Sequence, residues 1–232
     1  MKILHLYHDL MNLYGDYANI SAFCRILETN GVDYTLDKMS LGDEPNFADY
    51  DFIFVGSGSE ENQKLALDHL REYKQDLSDY IEKGGVALFT GNSFEMLGSG
   101  IESFLGGFEG LGVFPFKTVE QRKTRNTADA IFLTETDEKP LVGFINKCSA
   151  IEGIETPLFT VEIGLGNAKE DNREGIRYKN FFGTHLTGPV LVKNPHFLKE
   201  IASLVAGKEL HTEAFSRETA GYNITLEKLR NR

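Results

Sequence analysis

Two turns hold the residue types that could do chemistry. Gly56-Ser57-Gly58-Ser59 follows the apolar run Phe52-Ile53-Phe54-Val55 and precedes a segment of helical period. Small residues at such a turn let backbone N–H groups approach an anion or a polarised carbonyl oxygen, as an oxyanion hole requires. Thr90-Gly91-Asn92-Ser93-Phe94-Glu95-Met96-Leu97-Gly98 follows Val86-Ala87-Leu88-Phe89. A strand that turns sharply into a helix is the geometry of a nucleophile elbow, which raises the turn residue above helix N-terminal amides. Here that residue is Gly91, which carries no nucleophile.

The candidates to replace one are few. Ser93 lies two residues beyond Gly91, but Glu95 stands where Gly-x-Ser-x-Gly requires its second glycine, and capping preference makes Ser93 or Asn92 a helix N-cap. A base for Ser93 is offered by His185. Cys24 falls on the apolar face of a helix, where an inert buried thiol is expected. Cys148 sits in a polar loop with no adjacent cation or helix terminus to activate it. Arg125 offers a guanidinium for a carboxylate, and in Arg122-Lys123-Thr124-Arg125 its alternative is simple solvation. His5 and His8 border the end of the first strand as structural residues.

The elements that must position these turns read as alternating strand and helix. Strands are expected at Lys2 to Tyr7, Asp51 to Val55 and Val86 to Thr90. Ile20, Phe23, Cys24 and Leu27 form one helical face, and Leu67, Leu70, Tyr73, Leu77 and Tyr80 another. Parallel strands with crossover helices follow from this alternation, and such sheets place ligands beyond the carboxyl ends of their strands. After Gly112 the pieces are shorter: Val113 to Phe116, Ala130 to Leu133 and Leu158 to Ile163 read as strands that extend or cap the sheet. A helix from Pro195 to Ala206 turns Phe197, Leu198, Ile201, Leu204 and Val205 inward. Lys169 to Glu174 reads as a solvated loop. The chain divides into residues 1–207 as one α/β domain and residues 208–232 as a helical tail.

Composition narrows the function. The 232 residues are 41% hydrophobic and 25% charged, ordinary for a globular chain, and the net charge of −11 disfavours nucleic acid and anionic membranes. Nothing resembles a signal peptide or a membrane span, so a cytoplasmic location is expected. Two cysteines make no disulfide framework. With neither Cys-x-x-Cys nor His-x-x-x-His spacing, neither a metal nor a cofactor is expected.

Taken together, the motifs resemble a known family: the glutaminase subunit of lipid II isoglutaminyl synthase, among the cobyric-acid-synthase-like class I glutamine amidotransferases. The resemblance is carried by Met11-Asn12-Leu13-Tyr14-Gly15-Asp16, by the oxyanion-like Phe54-Val55-Gly56-Ser57-Gly58-Ser59, and by Gly110-Leu111-Gly112 with Thr124-Arg125-Asn126-Thr127. Gly175-Ile176-Arg177-Tyr178-Lys179-Asn180 and Gly183-Thr184-His185-Leu186-Thr187-Gly188-Pro189 complete it. It implies a flavodoxin-like class I amidotransferase fold, a largely parallel sheet flanked by helices. It also implies a glutamine-like ligand held by Arg125, Gly58, Ser59, Asn92, Ser93 and His185, and a Mur-ligase-like ATP-dependent partner subunit.

The chain departs from the family where catalysis lives. The family's elbow reads Cys-Gly-Gly-aromatic-Gln-x-Leu-Gly, which puts Gly91 at the nucleophile position and Asn92 and Ser93 at the two glycines. Its Gly-Thr-Tyr-Leu-His-Gly-Pro puts Thr187 at the base. Its Glu-Asn-His-Gly-Gly-Arg-Thr stretch is replaced after Val142-Gly143-Phe144 by Ile145-Asn146-Lys147-Cys148-Ser149. A thioester route needs a thiolate and a base, and neither Gly91 nor Thr187 supplies one. The expectation is a class I amidotransferase-like protein without glutaminase activity that binds a partner or a ligand. The alternative is an active amidohydrolase with a relocated nucleophile, Ser93 or Cys148.

Overall fold

The protein is described by a computed structural model over residues 1–103, 106–120, 125–134 and 139–232. Arg122, Lys123 and Thr124, part of the basic loop read from the sequence, lie outside the described residues.

A six-stranded sheet forms the centre. From one edge its strands are Ile176–Tyr178, Phe181–Thr184, β4 (Val86–Thr90), β3 (Phe52–Val55), β1 (Lys2–Leu6) and β2 (Thr35–Met39). All neighbours run parallel except the first pair. β3 shows why its sequence is continuously apolar: Phe52 and Phe54 pack on one side of the sheet, while Ile53 and Val55 pack on the other. A parallel strand covered on both faces needs apolar side chains at every position.

Helices cover both faces. α1 (Tyr17–Thr29), α4 (Val190–Lys193) and α5 (Pro195–Ala206) close one side, with Phe23 stacked on Phe52 at 4.2 Å between ring centroids. α2 (Glu60–Leu70) and α3 (Lys74–Glu82) close the other through Leu67, Leu70, Leu77 and Tyr80. The sequence reads the latter two as one helix. A 3-10 turn at Arg71–Tyr73 divides them, and the apolar spacing survives the break.

Two smaller sheets follow in the second half. One joins Ser149–Glu152, Lys117–Glu120, Gly100–Glu102 and Phe108–Glu109; the other joins Arg173–Glu174, Phe159–Ile163, Asn126–Leu133, Leu141–Lys147 and Leu186–Thr187. Val113 to Phe116, expected as a strand, is a turn whose Phe114 and Phe116 are buried in the core, so apolar content there reports burial rather than extension. The last helix, α6 (Ser216–Arg230), docks by Tyr222 and Leu229 against Ile131 and Val142, and the Tyr222 hydroxyl donates to the Pro140 carbonyl at 2.7 Å.

Candidate active site

The carboxyl ends of β1, β3 and β4 meet at one cleft, as the open-sheet rule requires. Its walls include Tyr14, Ser57, Gly58, Glu60, Gln63, Gly91, Asn92, Glu95, Arg125, Cys148 and His185. The free space is only about 20 Å³, room for about one water. A ligand the size of an amino acid enters only if wall side chains move.

The elbow keeps its shape without its nucleophile. Gly91 has φ +64°, in the left-handed region that glycine occupies without strain. The room above it is taken: a Cβ at Gly91 would stand 2.0 Å from Ser57 Oγ and 2.6 Å from Ser57 Cβ. Residues Gly91–Leu97 then continue as a 3-10 helix whose N-cap residue is Thr90. Neither Asn92 nor Ser93 is the cap that propensity indicates. Ser93 is fully buried, and its hydroxyl donates to the carbonyls of Thr90 (2.8 Å) and Val55 (3.2 Å). It tethers β4 to β3 from beneath the elbow and does not wall the cleft.

The loop Gly56 to Ser59 is braced from below. The Ser57 amide donates to Asp16 Oδ2 at 2.9 Å, and the Thr90 hydroxyl donates to Asp16 Oδ1 at 3.2 Å. Asp16 is fully buried, and burial pushes its carboxyl upward while these bonds pull it back down. Side chains at Gly56 and Gly58 would collide with Met11, which explains the glycines by close approach. The Gly58 amide donates to Asn92 Oδ1 at 3.0 Å. Ser59 turns away to cap α2, accepting from the Asn62 amide at 3.1 Å.

Behind the elbow lies a buried charged network that sequence reasoning misses. Glu95 Oε1 accepts from the Ser149 hydroxyl at 2.5 Å and lies 2.8 Å from His185 Nε2. On the other side of the imidazole, Glu174 accepts from the His185 amide (2.7 Å) and the Thr184 hydroxyl (2.7 Å). Glu174 is fully buried, so the segment read as a solvated loop ends in a core carboxylate. Lys147 is also buried, donating to the Gly166 (2.5 Å) and Asn167 (3.0 Å) carbonyls. Burial lowers its pKa, opposed by the charges of Glu174 and Glu95. One signal was visible: Glu95 is the residue that spoils the Gly-x-Ser-x-Gly pattern.

The chain leaves the central sheet after Thr184, and Leu186–Thr187 pairs instead with Leu141–Lys147. His185 therefore walls the cleft, while Thr187 is buried behind it with its hydroxyl donating to the Phe144 carbonyl at 2.9 Å. His185 is engaged by Glu95 rather than by Ser93.

The mouth carries the remaining candidates. Arg125 is ion-paired with Glu60 and donates to Asn146 Oδ1 at 3.2 Å. Cys148 Sγ donates to the same Glu60 at 3.2 Å. Burial and then the Glu60 carboxylate push the Cys148 thiol up to about 12. Cys24 is buried on α1, as its apolar face indicates. Among the described residues no cluster of three metal-ligating side chains occurs.

Residues 2–195 match the CobB/CobQ-like glutamine amidotransferase domain. The chain belongs to that family. It is 32% identical over 212 residues, 90% of this chain and 82% of the relative, to the GatD subunit of the glutamine-hydrolysing lipid II isoglutaminyl synthase of Streptococcus pneumoniae. The GatD subunit of Staphylococcus aureus is 33% identical over 200 residues, 84% of this chain and 79% of the relative. A crystal structure of a glutamine amidotransferase superposes with a TM-score of 0.57 at 14% identity, covering 88% of this chain and 98% of that one. The fold is the class I glutamine amidotransferase fold. No helix among the described residues is long and apolar enough to cross a membrane.

Proposed function

We propose that this chain is an amidotransferase-like subunit that does not hydrolyse glutamine and acts by binding a partner or a ligand. One observation carries the reading: the position above the elbow, where a nucleophile would project, is a left-handed glycine whose missing side chain is replaced in space by Ser57. Three further features agree with it. The Gly58 amide is occupied by Asn92, Thr187 at the base position is hydrogen-bonded away from the cleft, and the Arg125 guanidinium is already paired with Glu60. An acyl-transfer site needs a free oxyanion donor and a nucleophile within reach of a base.

The relatives are named as subunits of a synthase, and this reading gives the chain the corresponding role beside a Mur-ligase-like ATP-dependent subunit. Support comes from Leu13 and Tyr17, 55% and 60% exposed, which flank Tyr14 at the cleft and offer an apolar docking edge. A cytoplasmic location fits such a partner.

The alternative, a relocated nucleophile at Ser93 or Cys148, has one observation in its favour: Cys148 faces the cleft. Its protonated thiol and the burial of Ser93 weigh against it. Incubation with 6-diazo-5-oxo-L-norleucine, which alkylates a glutaminase nucleophile, followed by intact-mass and peptide mapping, separates the two. The proposal expects unmodified protein; an adduct on Cys148 or Ser93 would establish the alternative. Sedimentation of the chain mixed with its candidate ligase subunit tests the partner role, and two independent boundaries would count against it.

A further inference from the structure

The C-terminal helix α6 is held differently from the other long helices. α1 buries seven of its 13 residues and α5 five of its 12, whereas α6 buries only Tyr222 and Leu229 of its 15. Those two meet Ile131 and Val142 in a small apolar cluster, separate from both large cores. Tyr222 adds its hydroxyl bond to the Pro140 carbonyl and an edge contact with the His196 ring at 5.0 Å. Gly221 stands in the helix interior, where it costs helical stability relative to alanine, and Ile224 is 54% exposed.

The segment before the helix is anchored firmly. Leu210 and Phe215 are each 1% exposed and belong to the core beneath α1 and α5. The Arg25 guanidinium lies 4.5 Å from the centre of the Phe215 ring, and the Asn30 side chain exchanges two hydrogen bonds with the His211 backbone, at 2.8 and 3.0 Å. The far end of the helix is tied at the surface instead. Arg230 forms a two-pronged pair with Glu162, each bond 2.8 Å, and Arg232 pairs with Asp129. These four side chains are between 29% and 69% exposed, so solvent and salt screen both pairs.

The surface under α6 leads to the cleft. Ile131 and Val142 lie opposite each other in the antiparallel ribbon of Asn126–Leu133 and Leu141–Lys147, whose other face sends Ala130, Phe132, Leu141 and Ile145 into the main core. At the other end of this ribbon Asn126 lies opposite Lys147. The next residues outward, Arg125 and Cys148, both bond Glu60 at the cleft mouth. The cleft holds about one water, so a ligand enters only if such wall residues move.

We propose that α6 is a releasable strap on the ribbon that ends at the cleft. It opens as a unit about its anchor at Phe215 while both large cores stay folded, and when closed it stiffens the ribbon that holds Arg125 and Cys148 against Glu60. Within one protein the free energy of local opening is lowest where few apolar side chains are buried and the remaining contacts are exposed, which describes α6. Release uncovers one face of the ribbon and leaves the other packed on the core, so the ribbon loosens without unfolding. This control of the cleft rests on the reading of the cleft as a ligand site; the opening of α6 does not.

Hydrogen exchange of the full chain, followed by mass spectrometry, reads the opening, and iodoacetamide alkylation of Cys148 reads the mouth. Neither readout needs a ligand, so failure of the strap and failure of the ligand reading are told apart. Amides of Ser216–Arg230 should exchange at least about tenfold faster than those of Pro195–Ala206. Arg230→Gln/Arg232→Gln, which removes both distal ion pairs, should speed α6 exchange and Cys148 alkylation about fivefold each. Lys228→Gln, exposed on the same helix, should change neither. Exchange of α6 no faster than that of the β4 core would show that the helix leaves only on global unfolding. That result, α6 exchange unmoved by the double variant, or faster α6 exchange with Cys148 alkylation unchanged would overturn the proposal.

Discussion

Returning a cysteine to the elbow should fail first as a packing problem. In Gly91→Cys the new Cβ meets Ser57 Oγ at 2.0 Å, Ser57 Cβ at 2.6 Å and Ser57 Cα at 3.3 Å. The hydroxyl can rotate away; Cβ cannot, because the Ser57 backbone is held by the hydrogen bond its amide donates to Asp16 Oδ2. Overpacking of this kind costs about 1–3 kcal/mol, and a side chain at φ +64° adds about 1–2 kcal/mol. Ser57→Gly removes both close atoms and leaves only the 3.3 Å contact, so it should recover the packing part and not the backbone part. Urea unfolding of the wild type, both single variants and Ser57→Gly/Gly91→Cys closes a double-mutant cycle. The predicted coupling is about 1–3 kcal/mol in favour of the pair. Single changes that add to within about 0.5 kcal/mol would show that Ser57 does not fill the vacated space.

Three other expectations follow from the same geometry. Cys148, raised from an ordinary 9 to about 12 by burial and then by Glu60, should react with iodoacetamide at pH 7 about a thousandfold more slowly than a free thiol, and Glu60→Gln should accelerate it in part; a fast wild-type reaction would contradict the burial of the thiol beside Glu60. Asp16→Ala strands the Ser57 amide and the Thr90 hydroxyl, and should destabilise the protein by about 3 kcal/mol in urea unfolding; a loss below about 1 kcal/mol would mean that the loop is not braced there. His5, lowered from 6.5 to about 4, stays neutral in the folded chain over a range where the unfolded chain binds a proton. Stability should therefore fall as pH drops from about 6.5 to about 4, by up to about 3 kcal/mol in total, and His5→Phe should flatten that slope.

The sequence made the frame legible because its signals are local. Val86–Thr90 and Pro195–Ala206 come out with the expected boundaries, since a doubly covered strand must be apolar throughout and a Pro-initiated amphipathic helix carries its own start. The resemblance motifs located Gly91, Gly58, Arg125 and His185, all of which wall the cleft. What was not legible depends on contacts between distant residues. Ser57 and Gly91 are 34 positions apart, and only the β3–β4 pairing brings one into the other's space. Glu95, His185 and Glu174 meet because the chain leaves the central sheet at Thr184, a change of direction that no period records. Asn92 and Ser59 fit capping or substrate roles by type alone; the fold gives Asn92 to the Gly58 amide and Ser59 to α2.

The most direct measurement is ammonia release from glutamine by the purified wild-type chain, alone and with a candidate ligase subunit and ATP. An account in which Ser57 occupies the nucleophile's space and Asn92 occupies the oxyanion donor predicts no release above buffer under either condition. Saturable release that depends on the folded chain would contradict it, and would send the search for a nucleophile to Cys148 and the Glu95–Ser149 contact.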